Sequence, residues 1–263
     1  MINFERKDSY NVKDLTAIIH ILRGKGGCPW DREQTHESIR RNFLEETYEA
    51  VEAIDEGSTE HLKEELGDVL MQVVFHACIE EEEGRFTLDD VADGVCRKLI
   101  YRHPHVFGNV QVSDSEQVLE NWEVLKRKEK SQETHTDALK AVAKSLPALW
   151  RAEKVQKKAK KAGFDWPDDN GPVDKLEEEL QEVREAGKGH GDVGEEIGDL
   201  LFSAVNVARH YHVDPEEALQ KACEKFIGRF ERVEHAAREN GKNTEEMSLS
   251  ELDKLWDEAK KQG

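Results

Sequence analysis

Two short acidic motifs in the second half of the chain carry the side chains best suited to chemistry. Glu178-Glu179-Leu180-Gln181-Glu182 is followed, beyond a Gly-rich stretch, by Glu195-Glu196-Ile197-Gly198-Asp199. Residues three apart on a helix are neighbours on one face. Glu179 therefore pairs with Glu182, and Glu196 with Asp199. Carboxylates brought together repel, and one in apolar surroundings either takes up a proton or finds a cation. An all-oxygen set suits a hard divalent ion, Mg²⁺ or Mn²⁺, rather than zinc or iron. In so charged a chain, a single such motif reads more simply as a solvated acidic helix.

The positioning elements are legible on either side. Leu176, Leu180 and Val183 recur at helical spacing beside the first motif. The second motif opens an apolar run from Leu200 to Ala208, so its helix is expected to be apolar on nearly every side. Gly187, Gly189, Gly191 and Gly194 are expected to form the turn between the two helices. Antiparallel packing would then set the two carboxylate pairs face to face.

The same landmarks occur earlier in the chain. Glu45-Glu46-x-x-Glu49 matches Glu178-Glu179-x-x-Glu182, and Glu64-Glu65-Leu66-Gly67-Asp68 matches Glu195 to Asp199. Trp30 precedes the first set as Trp166 precedes the second. Lys98-x-x-x-Arg102 and Trp122-x-x-x-Lys126 match Lys225-x-x-x-Arg229 and Trp256-x-x-x-Lys260. Five landmarks in one order, each displaced by 127 to 136 residues, indicate an internal duplication. The expected architecture is all-α: one helical unit over residues 1–130, a second over 137–263, and a polar joint from Glu129 to Asp137. In the first copy, helices are expected around Leu15–Leu22, Phe43–Val51, Glu64–Phe75 and Leu88–Arg102, with a charged helix carrying Trp122. Leu44, Tyr48 and Val51 share one face. Cys28 to Asp31 reads as a compact turn, His103 to Gly108 as an interruption, and Trp30 and Trp166 as packing residues that fix the loop entering each unit.

Composition sets outer bounds. Of 263 residues, 37% are hydrophobic and 36% charged, which fits helices with strongly charged outer faces. The net charge of −19 argues against a nucleic-acid polymer or an anionic membrane as partner. It leaves room for a small polyanion delivered with a cation. Cys28, Cys78, Cys96 and Cys223 form no C-x-x-C pair, which disfavours a zinc ribbon and fits a reducing cytoplasm. The start, Met1 to Lys7, is too polar for a signal peptide, and the apolar run from Val69 to Ile79 is too short to span a bilayer.

The duplicated E-E-x-x-E and E-x-x-D pair, with Gly-Cys-Pro-Trp-Asp ahead of the first copy and His-Pro-His-Val-Phe after it, resembles the MazG family of all-α nucleoside triphosphate pyrophosphohydrolases. The resemblance covers nearly the whole chain. It implies helical bundles completed by dimerisation, so a homodimer. It implies Mg²⁺-dependent hydrolysis of a nucleoside triphosphate to the monophosphate and pyrophosphate. It implies metal ligands at Glu179, Glu182, Glu196 and Asp199, and in the first copy at Glu46, Glu49, Glu65 and Asp68. Glu178, Glu179 and Glu182 are assigned to catalysis, with Lys175, Glu195, Asn206, Lys225, Arg229, Trp256 and Lys260 on the substrate.

The reaction places water on the α-phosphorus, and cations must hold the other phosphates. Lys175, one turn before Glu179, and the Lys225–Arg229 pair suit that task. Trp256 offers a π-face that tolerates any base, or else is core. Lys225 and Arg229 could instead be a charged stripe pairing with Glu224. Glu178 has three readings: solvent-facing, paired with Lys175, or orienting the attacking water. A di-iron bundle is disfavoured because Asp68 and Asp199 stand where that class uses histidine. A non-catalytic scaffold or sensor that binds nucleotide or metal is the remaining alternative; Gly67 and Gly198, costly in a helix, suggest close approach of a ligand or helix. The copies differ at the substrate: Asn42 and Phe75 stand where the second copy has Lys175 and Asn206. The second copy is therefore expected to carry most of the activity.

Overall fold

The computed structural model describes residues 4–129 and 133–261. The chain divides into two compact units, Met1–Lys126 and Arg127–Gly263. Among the described residues there are helices and no strands. The expected joint, Glu129 to Asp137, lies partly outside the described residues, as does the start of the N-terminal stretch. What is described of the joint is not all loop, since α7 (Ser115–Glu129) reaches into it and α8 (His135–Lys140) begins within it.

In the first unit, α1 (Val12–Arg23) starts at an Asn11 capping box and ends at Gly24. α2 (Pro29–Glu33) is a single helical turn rather than a plain turn, with proline at its first position, where no amide donor is missed. α3 (Arg40–Asp55) and α4 (Thr59–Glu82) form a helical hairpin. Gly57, at φ +68°, supplies the left-handed turn between them, and Ser58 caps α4. α5 (Leu88–Arg102) is capped by Thr87 and Asp90. The interruption after Arg102 contains one more turn, α6 (Pro104–Phe107). Ile19, Ile39, Val74, Phe75, Cys78 and Ile79 form the buried core. Arg23 ties three elements together beside it. It holds both Glu82 oxygens at 2.8 Å, donates to the Asp31 and Gln34 carbonyls, and lies over the Phe75 ring.

In the second unit, α9 (Ala148–Lys161), α10 (Asn170–Ala186), α11 (Val193–His210), α12 (Pro215–Glu239) and α13 (Leu249–Lys261) follow in order. α10 and α11 form the hairpin matching α3 and α4. Phe75, Cys78 and Ile79 of the first unit correspond to Asn206, Arg209 and His210 here. Arg209 makes a bidentate ion pair with Asp165, and His210 Nε2 reaches the same carboxylate at 3.1 Å. The loop entering α10 is thereby clamped to the end of α11. Trp166 lies against the backbone at Gly171, where a Cβ would sit 1.9 Å from the ring.

Several expectations change. Trp30 is 61% exposed, against 39% for Trp166, whose ring lies on Gly171. Leu44, Tyr48 and Val51 share a face as expected, but that face is exposed, while Ala50 and Ala53 point into the unit. Gly194 lies inside α11, and the turn is made by Gly187 to Asp192. Helix α11 is not covered all round, since Leu201 and Phe202 are exposed.

The clamp yields a prediction. The Arg209 guanidinium holds the Asp165 carboxyl far below the usual carboxylate range, and His210 adds to this. A depressed pKa stabilises the fold in full above the unfolded-chain value of about 3.9 and less as pH falls below it. Asp165→Ala leaves a buried guanidinium without its partner and should cost about 3–5 kcal/mol in urea unfolding at neutral pH. The gap between variant and parent should narrow below about pH 4.

Candidate metal and phosphate site

The α10–α11 hairpin brings together what the sequence spacing suggested. Carboxylate oxygens of Glu179, Glu196 and Asp199 lie within 4.8 Å of one another. The buried member is Glu179, at 5% exposure. Glu196 is half-buried and Asp199 exposed, so the second motif is not the desolvated one. Glu179 Oε1 pairs with Lys175 Nζ at 2.7 Å, while its Oε2 is buried without a hydrogen-bond partner. An unpartnered buried carboxylate oxygen is costly unless something charged comes to it. Glu182 is exposed, and partial desolvation and the Glu179 charge push its pKa up. The turn passes close by: Gly191, at φ +152°, approaches Glu196 Oε1 so nearly that a Cβ would sit at 3.6 Å. Asp192 caps α11 by accepting from the amides of Gly194 and Glu195.

The α3–α4 hairpin repeats the arrangement. Oxygens of Glu46, Glu49 and Glu65 lie within 4.8 Å of one another. Burial first, then the charges of Asp68, Glu49 and Glu65, raise the Glu46 pKa, which puts Asp68 beside the cluster. His61, which the motif comparison did not single out, reaches Glu65 at 3.3 Å and Glu56 at 2.9 Å. The matching place four residues before Glu196 holds Asp192, so this imidazole–acid contact has no counterpart at that position in the second copy. The i, i+4 spacing of His61 and Glu65 was the available signal.

The candidate substrate residues fall into three groups. Lys175 stands on the acids, bonding Glu178 Oε1 at 2.8 Å as well as Glu179, and these two partners raise its pKa. Of the readings for Glu178, the structure shows two together: it is exposed and it pairs with Lys175. Glu195, at the start of α11, is exposed. Asn206 is 6% exposed, and its Oδ1 accepts from Arg209 Nε at 2.9 Å and Nη2 at 2.6 Å. That oxygen faces the clamp and is not presented outward. Lys225 and Arg229 stand on α12, and Trp256 and Lys260 on α13. Among the described residues no ion pair occupies Lys225 or Arg229, and Glu224 bonds Gln220 instead. Trp256 is half-buried, its ring centre 5.0 Å from that of Phe226, so packing accounts for one of its faces. Lys260 pairs with Asp257 at 2.9 Å. A Cβ on Gly67 or Gly198 would meet open space, so packing within this chain does not require glycine there.

The sequence model of the MazG nucleotide pyrophosphohydrolase domain matches residues 34–107 and 172–234, the segments that hold the two hairpins. The chain belongs to the MazG family. A Thermotoga maritima relative, named nucleoside triphosphate pyrophosphohydrolase/pyrophosphatase MazG, is 46% identical over 248 residues, covering 94% of this chain and 95% of that one. The Escherichia coli nucleoside triphosphate pyrophosphohydrolase is 42% identical over 252 residues, 94% of this chain and 96% of that one. A Bacillus subtilis protein named YabN is 50% identical over 248 residues, but these make up only half of its length. Both matched MazG segments coincide with an acid-bearing hairpin, so the family assignment and the duplication rest on the same residues.

The donor chemistry makes a binding prediction independent of turnover. Glu182 and Glu46 hold protons to higher pH than ordinary carboxylates, and a divalent cation must displace those protons. Mn²⁺ affinity measured by calorimetry should therefore rise with pH through the upper carboxylate range, with proton release. Glu179→Gln should weaken binding at the second unit at least about tenfold, a loss of about 1.4 kcal/mol. Unaltered affinity in that variant would remove Glu179 from the ligand set.

Proposed function

We propose that the chain is a nucleoside triphosphate pyrophosphohydrolase that adds water at the α-phosphorus and releases the nucleoside monophosphate and pyrophosphate. The observation that carries this reading is the buried, unpartnered Glu179 Oε2 within an all-oxygen cluster, repeated in outline on the first hairpin. The names of the full-length relatives support it. So does the open carboxylate set, which suits a hard divalent cation, Mg²⁺ or Mn²⁺, held by Glu179, Glu182, Glu196 and Asp199 and by Glu46, Glu49, Glu65 and Asp68. Bound there, such an ion would neutralise phosphate oxygens and make water more acidic.

The chain's own groups supply the rest. Glu178 stands outside the three-residue cluster, 58% exposed on its side chain and paired, among the described residues, with Lys175. It is free to take a proton from water once Lys175 turns to a phosphate. Glu179 and Glu182 share the catalytic assignment as acids that would hold the cation against which the reacting phosphate is set. Lys175 has two carboxylate partners to exchange for phosphate oxygens. Lys225 and Arg229, one turn apart, present cations for the departing pyrophosphate. Trp256 offers its remaining face to a base, with Lys260 beside it, and Glu195 lies at the mouth of α11. Asn206, its oxygen committed to Arg209, has only its amide hydrogens to offer a sugar or phosphate.

A homodimer and a cytoplasmic location belong to the same proposal. The outer faces of the hairpins expose Leu44, Tyr48, Leu66 and Leu70 in the first unit, and Ile197, Leu201 and Phe202 in the second. Large apolar side chains left exposed in such number are a feature of surfaces that a protein partner covers. All four cysteines are free, which fits a reducing compartment. No helix among the described residues is long and apolar enough to cross a membrane. Light scattering should give twice the 30.1 kDa chain mass; a monomer across dilution would count against the dimer.

Product analysis tests the reaction itself. With Mg²⁺ and several triphosphates, chromatography should show monophosphate and pyrophosphate in equal amounts. Diphosphate with orthophosphate would place attack elsewhere, and binding without turnover would favour the sensor reading. A matched pair of double variants tests the division of labour. Glu179→Gln with Glu182→Gln should lower turnover by orders of magnitude, while Glu46→Gln with Glu49→Gln should leave most of it. The basis is the first copy's lack of a lysine at Asn42, its Phe75 buried in the core and its Glu65 engaged by His61. The opposite ranking would assign the activity to the first unit.

A further inference from the structure

The first unit holds a polar cluster that neither acid set uses. His36, in the segment leading into α3, lies edge to edge with His76 of α4, the ring centres 5.0 Å apart and the planes within 10° of parallel. Their Nδ1 atoms are 2.7 Å apart, and His36 Nε2 lies 2.5 Å from Glu80 Oε1. These contacts restrict where protons can sit. Arg85 holds Glu80 through both carboxylate oxygens, and with His36 this lowers the Glu80 pKa to about 2. Glu80 is therefore an ionised acceptor, and His36 Nε2 must carry a hydrogen. Between the two Nδ1 atoms there is room for one hydrogen and no more.

The pair therefore has a ceiling on its charge. With His36 doubly protonated, His76 must be neutral and accept. With His76 Nδ1 protonated, His36 must be neutral and accept. If both were imidazolium, two N–H groups would point at each other across 2.7 Å. Burial and the facing His36 already push the His76 pKa down. The surrounding charges are few. α4 supplies Glu80, the turn after it supplies Arg85 with Glu83 at 3.6 Å, and α3 supplies Arg40. Glu37 adjoins His36, and its pKa is lowered chiefly by its own backbone amide. The α5 contribution to this wall is the uncharged Val91, and Phe43 lies against His76. α1 meets α4 elsewhere, where His20 and Arg23 pair with Glu81 and Glu82.

His36 and His76 also form part of the wall of a cavity of about 650 Å³, lined otherwise mainly by apolar side chains such as Phe43, Val73 and Phe86. The second unit has Val207 and Tyr211 where the first has His76 and Glu80, so the arrangement belongs to one copy only. We propose that His36 and His76 form a one-proton latch: a single shared proton holds the segment before α3 against α4, and a second parts the rings and opens the cavity wall. The segment runs directly into the helix that carries Glu46 and Glu49, so acidification loosens the support of the first acid set. The argument uses neither a metal nor a nucleotide and does not depend on the function proposed above.

The test is a pH titration of the full chain labelled with ¹⁵N in histidine, followed by imidazole nitrogen shifts and amide exchange. Two protonation steps are expected for this pair, the second proton binding at least about tenfold more weakly, one pH unit lower. Before the second step His36 should hold its hydrogen on Nε2. Exchange over residues 34–39 should rise about tenfold or more only once the second proton binds. In His36→Gln, His76 should titrate in one step at higher pH than in the parent. If that variant fails to fold, Glu80→Gln replaces it, and the gap between the two steps should shrink. A single common step in the parent would overturn the shared proton. Two steps with unchanged exchange over 34–39 would overturn the latch.

Discussion

The constraint on which each unit depends is the mutual repulsion of carboxylates carried by two helices of one hairpin. Glu179, Glu196 and Asp199, and likewise Glu46, Glu49 and Glu65, come within 4.8 Å of their neighbours. Like charges that close raise one another's pKa and oppose helix contact. The hairpin must therefore be closed by forces applied elsewhere along its length. The short turns do part of this: Ser58 caps α4, Asp192 caps α11, and left-handed glycines bring the chain round without strain. The far ends of the hairpins do the rest.

The two copies close those far ends by different chemistry. The first uses an apolar core of Val74, Phe75, Cys78 and Ile79, with one buried arginine, Arg23, gathering α1, α2 and α4. The second places Asn206, Arg209 and His210 at corresponding positions and anchors them on Asp165. An apolar core tolerates pH change, whereas a buried ion pair demands that every partner stay in place. The polar solution also fixes orientation. Arg209 can only donate, so it dictates which atom of the Asn206 amide faces it. The substitution of Phe75 by Asn206 thus changes how the hairpin is held as much as what it offers a ligand.

The helices, the duplication and the acid pairs were all legible in the sequence, because spacing of three and four along a helix fixes which residues share a face. The direction of the faces was not. Leu44, Tyr48 and Val51 share a face by pattern, yet that face is exposed and the structure buries Ala50 and Ala53. A hairpin that leaves one apolar side uncovered has two apolar faces, and periodicity cannot say which meets this chain. Local pattern also missed every partner distant in sequence. Lys175 with Glu178 and Glu179 was readable at i+3 and i+4, but Asp165 with Arg209, 44 residues apart, and His36 with Glu80, likewise 44 apart, were not. Trp30 and Trp166 occupy equivalent places in the sequence, but only the second has a glycine, Gly171, against which a ring can lie.

The uncovered faces bear on the chemistry as well as on assembly. Leu66 and Leu70 share one exposed face of α4, and Ile197 and Leu201 one of α11, each turned away from the side that carries Asp68 or Asp199, because residues two apart on a helix do not face each other. Gly67 and Gly198, on the same helical turns, have open space where a Cβ would project. Phe202, three residues beyond Asp199 and also exposed, is an apolar neighbour of that acid on the same helix. Covering Phe202 would withdraw water from Asp199, which is now exposed, and strengthen the charge interactions in the cluster. Without a cation that change is unfavourable, since it adds repulsion to desolvation. With a cation it is favourable, since attraction grows in the same medium. If a partner covered Phe202 and a cation bound the cluster, the two would be coupled through Asp199, and by linkage each would favour the other.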